Sequence, residues 1–286
     1  MTRTVPMYLS IIAALLSGIA PAGALAQSLF EPRGPGVGRD ADPVRARLVA
    51  ADTALTPGEK TLIGLHFEIE PDWYLYWKNP GDAGMPIGFA FEAPDGVRIG
   101  DVRWPAPQRH ALPGGILDYV HRDAVTLVFP VHVGADVPVG EPVTISARLT
   151  WLMCKDEICV PGNANVRIEI PVAAESTETP DAARIARSLL RVPTPASESE
   201  FDWAWRERTL TLRVPGADAL VFYPGPSERV QPRDMLRAGA VDGDALRISY
   251  DTSVDEAEEI SAVVEVRREG APPRFIEIVI PGPDAG

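Results

Sequence analysis

Only two cysteines occur among the 286 residues, and beyond residue 26 no apolar run approaches the roughly 20 residues of a membrane helix. The first shortage excludes a disulfide-dense scaffold, and the second excludes a polytopic membrane protein. Three catalytic signatures are also missing: a Gly-x-Ser-x-Gly elbow, a His-Glu-x-x-His pair and a phosphate loop set behind a strand. The glycine-rich piece at residues 34–38 follows no strand pattern, so it is a poor nucleotide loop. Positive charge is short as well, with 27 Lys plus Arg against 40 Asp plus Glu and a net charge of −13. Such a surface repels phosphate backbones and anionic lipids, which argues against nucleic-acid partners and otherwise serves solubility. Residues 201–286 contain neither Cys nor His, so thiol, imidazole and soft-metal chemistry must lie earlier in the chain.

The N-terminus has the order of a secretory signal peptide: Arg3, an apolar run over residues 7–20, Pro21, then Ala24-Leu25-Ala26 before Gln27. Cleavage after Ala26 would deliver the rest, without membrane insertion, to an exported and disulfide-permitting compartment such as a bacterial periplasm. Loss of Arg3 makes the mature chain one unit more acidic.

Proline, at 29 residues, and glycine, at 24, punctuate short alternating apolar runs throughout. This pattern predicts an all-β protein, and its length suggests two domains. Residues 27–43 read as a flexible leader, 44–172 as a β-sandwich, 173–200 as a linker carrying a short helix, and 201–286 as a second, smaller β-domain with a docking or scaffolding role. Ile63, Leu65, Phe67 and Ile69 alternate with a more polar face on which His66 is expected to be solvated. Trp73, Leu75 and Trp77 share one side of a strand and are expected to fill a core rather than stack on a sugar. The Trp104-Pro105-Ala106-Pro107 piece cannot pair as a central strand and should run along an edge or surface. Residues 113–122, opened by Gly114 and Gly115, read as a mobile loop. Within the linker, Pro180 is placed in a first helical turn, and Ile185 with Leu189 forms an i, i+4 apolar pair.

Cys154 and Cys159 sit at the end of an alternating run, with four residues between them. A strand that ends near Met153 and an apolar return through Ile158 and Val160 could bring the thiols within bonding range. As a staple the bond is modest, since a loop this small gains only about 2 kcal/mol in the chain-entropy picture. Lys155 favours a thiolate while Asp156 and Glu157 oppose it, so the residues alone leave open both the attacking thiol and the choice between structural and redox-active bond.

Several separated segments, in order, resemble the N-terminal periplasmic domain of the DsbD/ScsB thiol:disulfide interchange proteins. They are the Trp73-Tyr74-Leu75-Tyr76-Trp77-Lys78-Asn79-Pro80-Gly81-Asp82-Ala83-Gly84 run, Trp104-Pro105-Ala106-Pro107, Leu117-Asp118-Tyr119, and Thr150-Trp151-Leu152-Met153-Cys154 with Cys159-Val160-Pro161. The resemblance spans roughly residues 44–172, and the remainder looks like the second β-domain of the ScsB periplasmic region. It implies an immunoglobulin-like sandwich, with Cys154 and Cys159 as the redox pair and Asp118 and Tyr119 loosely matching a shielding loop. In that family the pair takes electrons from a membrane domain through a thioredoxin-like domain and passes them to oxidised periplasmic clients, with no organic cofactor. Neither of those further domains lies within these 286 residues. The expected activity is therefore that of a protein-disulfide reductase recharged by an external donor, either a thioredoxin-like protein or a membrane reductant. Two rivals are a copper-binding protein using Met153, Cys154, Cys159 and His121 as soft ligands, linked to copper tolerance, and a binding module whose disulfide is structural.

Overall fold

The computed structural model describes residues 42–156, 158–227, 232–250 and 259–282. The leader read at residues 1–26, and residues 27–41 of the flexible segment, lie outside them. Among the described residues no helix is long and apolar enough to cross a membrane.

Ten strands make two facing sheets: β1 (Val44–Ala50), β2 (Lys60–Ile69), β3 (Tyr74–Gly81), β4 (Gly88–Glu92), β5 (Val97–Ile99), β6 (Gln108–Leu112), β7 (Ile116–His121), β8 (Ala124–Val133), β9 (Val143–Lys155) and β10 (Ile158–Ile170). One sheet has the order β1-β2-β8-β5 and the other β10-β9-β3-β7-β6, with β4 pairing the first part of β9. Ile63, Leu65, Phe67 and Ile69 of β2 face Ile145, Ala147, Leu149 and Trp151 of β9 in one apolar core. Their alternation along each strand is what turns one face of each sheet inward.

The helix α1 (Ala182–Leu189) and strand β11 (Thr194–Pro195) lead to β12 (Asp202–Arg206), β13 (Thr209–Arg213), β14 (Ala219–Pro224), the short α2 (Met235–Ala238), β15 (Ala240–Asp242), β16 (Ala245–Ser249), β17 (Glu259–Arg267) and β18 (Arg274–Pro281). These form a sheet of order β11-β18-β17-β14-β15 and another of order β12-β13-β16, packed about a separate core that includes Leu212, Phe222, Val264 and Ile278. The all-β expectation is met.

Four local expectations are corrected. His66 is buried, because α1 lies across that face of β2 and β8: Nδ1 hydrogen-bonds with Thr126 Oγ1 at 2.9 Å, and Arg184 of α1 reaches Nε2. The expected short helix is α1, and its Ile185 is buried with Val49 and Val128. Pro180 precedes the N-cap, Asp181, whose carboxylate receives both Arg47 and Arg184. The Pro105-Ala106-Pro107 stretch makes no strand but is buried rather than superficial, with Ala106 N–H donating to Arg191 C=O. Most of the expected loop at 113–122 is strand β7, so Leu117, Asp118 and Tyr119 are ladder residues paired with β6.

Trp73, Leu75 and Trp77 do share a face, but its cover changes along the strand. Leu75 belongs to the first core, whereas Trp77 packs with Leu117, Tyr119, Val221, Tyr223, Val263 and Phe275. The inner face of β3 and β7 thus runs past the first sandwich and is closed by β14, β17 and β18. Gly81, with φ of +92°, permits the close approach of β3 to the Leu117 carbonyl, which a Cβ would block.

Candidate redox site

The register of β9 with β10 pairs Lys155 with Ile158 and Cys154 with Cys159, leaving a two-residue connection. Asp156 in that connection takes φ of 52°, the left-handed conformation that tight hairpins ask for and Asp tolerates. Directly opposed residues on antiparallel strands lie close, and the two cysteines, with Cα atoms 4.2 Å apart, are joined by a disulfide.

The two sulfurs occupy different surroundings. Cys154 is fully buried on the outer face of its sheet, in a cluster with Tyr74, Tyr76 and Val120. Cys159 is exposed on β10, the last strand of the sheet order. It is flanked by the exposed apolar side chains of Ile158 and Val160, which are 63% and 38% accessible.

Tyr76 Oη lies 3.3 Å from Cys154 Sγ. Burial first, and then the charges of Tyr74 and Asp118, push the phenol's pKa upward, so it keeps its proton. Tyr74 packs edge-on against Tyr76 at 5.6 Å and against His110 at 4.7 Å, beneath the Arg122 guanidinium 5.1 Å away. Arg122 also hydrogen-bonds to the His110 ring, whose basicity falls through burial and the guanidinium charge. Lys155 turns away to pair with Asp72 at 2.9 Å, so the cation expected beside Cys154 is spent on a carboxylate.

Asp118 is fully buried on the same outer face as Val120. Its Oδ1 accepts from Ala83 N–H at 3.1 Å, while Oδ2 has no hydrogen-bond partner among the described residues. Burial raises its pKa to about 6, against the lowering effects of the Ala83 N–H and of the nearby Tyr76 hydroxyl and with a further push from Asp82. Asp118 therefore sits in the wall of the site, not in a loop over it. Tyr119 points to the opposite face, into the contact with Tyr223. The cover over Tyr76 comes instead from the segment after β3, where Pro86 bridges to Tyr76 and Gly84, at φ of +88°, lies against its ring.

The copper ligand set is divided between the two faces of this sheet. Met153 and His121 are both paired with Leu75, on the inner face; Cys154 is on the outer face and bonded to Cys159. Among the described residues no group of three or more His, Cys, Asp or Glu could hold a metal ion. Tyr74, Tyr76, His110 and Arg122 were not singled out from sequence as site residues. For the two tyrosines a signal existed: by period two they face away from Trp73, Leu75 and Trp77.

The family model for the N-terminal region of thiol:disulfide interchange protein DsbD matches residues 45–170. No curated protein matches the chain in sequence. The crystal structure of the N-terminal periplasmic domain of ScsB from Proteus mirabilis is similar in fold, with a TM-score of 0.57 at 18% identity over 87% of this chain and 98% of that one. The reduced N-terminal domain of DsbD from Neisseria meningitidis aligns over 46% of this chain and 89% of its own, at 16% identity and a TM-score of 0.27. The hairpin that carries Cys154 and Cys159 lies inside the matched region, so it is this part of the chain, residues 45–170, that is similar to the N-terminal region of the DsbD thiol:disulfide interchange proteins.

Proposed function

We propose that the protein relays two electrons by thiol–disulfide exchange through Cys154 and Cys159, drawing them from an external dithiol and giving them to oxidised client proteins in the periplasm. The observation that carries this reading is the pairing of one buried sulfur with one exposed sulfur at a sheet edge. An incoming thiolate must approach in line with the S–S bond, and access favours attack on Cys159 Sγ. Cys154 then leaves as a thiolate, with the Tyr76 hydroxyl placed to donate to it. The donor's second thiol attacks its own sulfur in the mixed disulfide, which frees Cys159 and leaves the donor oxidised. In the second half-reaction Cys159 attacks a client disulfide and Cys154 resolves the product, restoring the starting bond. Each transfer moves two electrons, and the chain needs no organic cofactor.

Ile158 and Val160 supply an apolar rim on which a thioredoxin-like donor can dock without burying unpaired charge. The deciding measurement is the reduction potential of the pair. A value near about −200 mV, with reversible exchange against a thioredoxin-like protein, supports the relay, while one below about −300 mV marks an inert structural bond and overturns it.

A further inference from the structure

Arg184, Arg187 and Arg191 recur at the three- and four-residue spacing that lines up one side of a helix, on α1 and just beyond it. A charged stripe of this kind is ordinarily a solvated face. Here it borders a cleft of about 390 Å³ whose other walls include His121, Arg122 and Ser188, and whose lining contains no Asp or Glu. In a chain with a net charge of −13, a cleft lined by four arginines and no acid is a pronounced local reversal of sign.

The positive charge there is largely uncompensated. Arg184 is neutralised by Asp181, but Arg122, Arg187 and Arg191 form no salt bridge among the described residues. Arg191 is held in place by donating to the Ala106 carbonyl at 3.0 Å and by lying 4.8 Å over Phe275. Arg122 borders the cleft but turns its guanidinium to the outer face, over Tyr74 and against His110. The Arg191 guanidinium is thus pre-positioned by neutral partners, which leaves its charge unspent.

A second observation points the same way. His121 is only 6% exposed, yet its Nε2 has no hydrogen-bond partner. Buried polar atoms are nearly always satisfied, so an orphaned imidazole nitrogen on the wall of a cationic cleft marks a place where a ligand atom belongs. Burial and Arg191 keep the ring neutral, and a neutral imidazole can donate an N–H to an anion without adding a charge of its own.

We propose that this cleft binds a small oxyanion of the phosphate or sulfate type, held by Arg187 and Arg191 and receiving a hydrogen bond from the buried His121. Neither cysteine is needed for this, so binding is separable from electron relay. The test titrates the intact protein with inorganic phosphate, sulfate and acetate in turn, with chloride at matched ionic strength as the screening control. Affinity is read by calorimetry and the His121 ring by nitrogen-15 NMR. Expected are saturable binding of phosphate or sulfate, a shift of His121 Nε2 that saturates with it, and a loss of about tenfold or more in R187E. Arg187 is exposed and makes no salt bridge among the described residues, so that variant should fold; a Cys154→Ser, Cys159→Ser double variant should bind as the parent does. Acetate binding as tightly as phosphate would reassign the ligand to a carboxylate and overturn the tetrahedral-anion assignment. No binding beyond chloride, or binding unchanged in R187E with His121 unmoved, would overturn the site altogether.

Discussion

Cys154 and Cys159 share one bond but not one environment. After reduction, the exposed Cys159 should be alkylated by iodoacetamide at least about tenfold faster than Cys154, as peptide mapping of a time course would show. Correspondingly, Cys154→Ser should trap a mixed disulfide with a reducing partner through Cys159, while Cys159→Ser should trap little; equal trapping by both would contradict the assigned order of attack. Tyr76→Phe removes the hydroxyl that lies 3.3 Å from the leaving sulfur. Since a hydrogen bond to a charged group contributes about 1.5–3 kcal/mol, disulfide reduction by dithiothreitol, followed by stopped flow, should slow by about tenfold or more.

Asp118 gives a pH signature of the same small region. Its pKa is raised in the fold from 3.8 to about 6, so the folded state binds the proton more tightly than the unfolded chain. Stability from this group is therefore greatest at low pH and is lost as pH rises from 3.8 through about 6, remaining absent above that. Asp118→Asn keeps an oxygen for the Ala83 N–H and removes the buried charge. Near neutral pH it should stabilise the protein by about 1–2 kcal/mol, with the difference from the parent shrinking in acid. Urea titrations at several pH values would check this, and a variant destabilised at neutral pH would show that the carboxylate has a stabilising partner.

At the scale of elements, the β9–β10 hairpin converts a short sequence separation into direct opposition. Its turn needs a left-handed residue at 156, so Asp156→Gly should be neutral or stabilising by up to about 1 kcal/mol, and Asp156→Val should cost about 1–2 kcal/mol, measured by thermal melts of the oxidised protein. The alternation of β2, β9 and β3 was legible because period two is a local property of the chain. The conversion of residues 116–121 from expected loop to strand was not: Gly114 and Gly115 read as loop signals, but they serve a tight turn, and the ladder with β6 claims everything after it. Likewise, nothing near His66 announces that a helix more than a hundred residues later will cover it.

For the molecule as a whole, the contact between the two halves is a core in its own right. Trp77, Tyr119, Tyr223 and Phe275 meet there, and polar bonds frame them, from Asn79 to the Pro224 carbonyl and from Arg109 to the Met235 carbonyl. Even its buried acid, Glu265, is held by Tyr223 and Arg267. Trp77→Ala should cost about 3–5 kcal/mol and split a single unfolding transition into two, as calorimetry would reveal; one unchanged transition would show that the halves do not depend on this contact.

The sequence by itself determined the β architecture, the inward face of each strand and the candidacy of the cysteine pair, because alternation, turn chemistry and thiol spacing are all written within a few residues. Tertiary structure alone decided which sulfur is open, which tyrosine meets the buried one, and which arginines gather around His121. Those properties depend on desolvation and on partners brought from distant segments, and neither can be read until the chain has closed on itself.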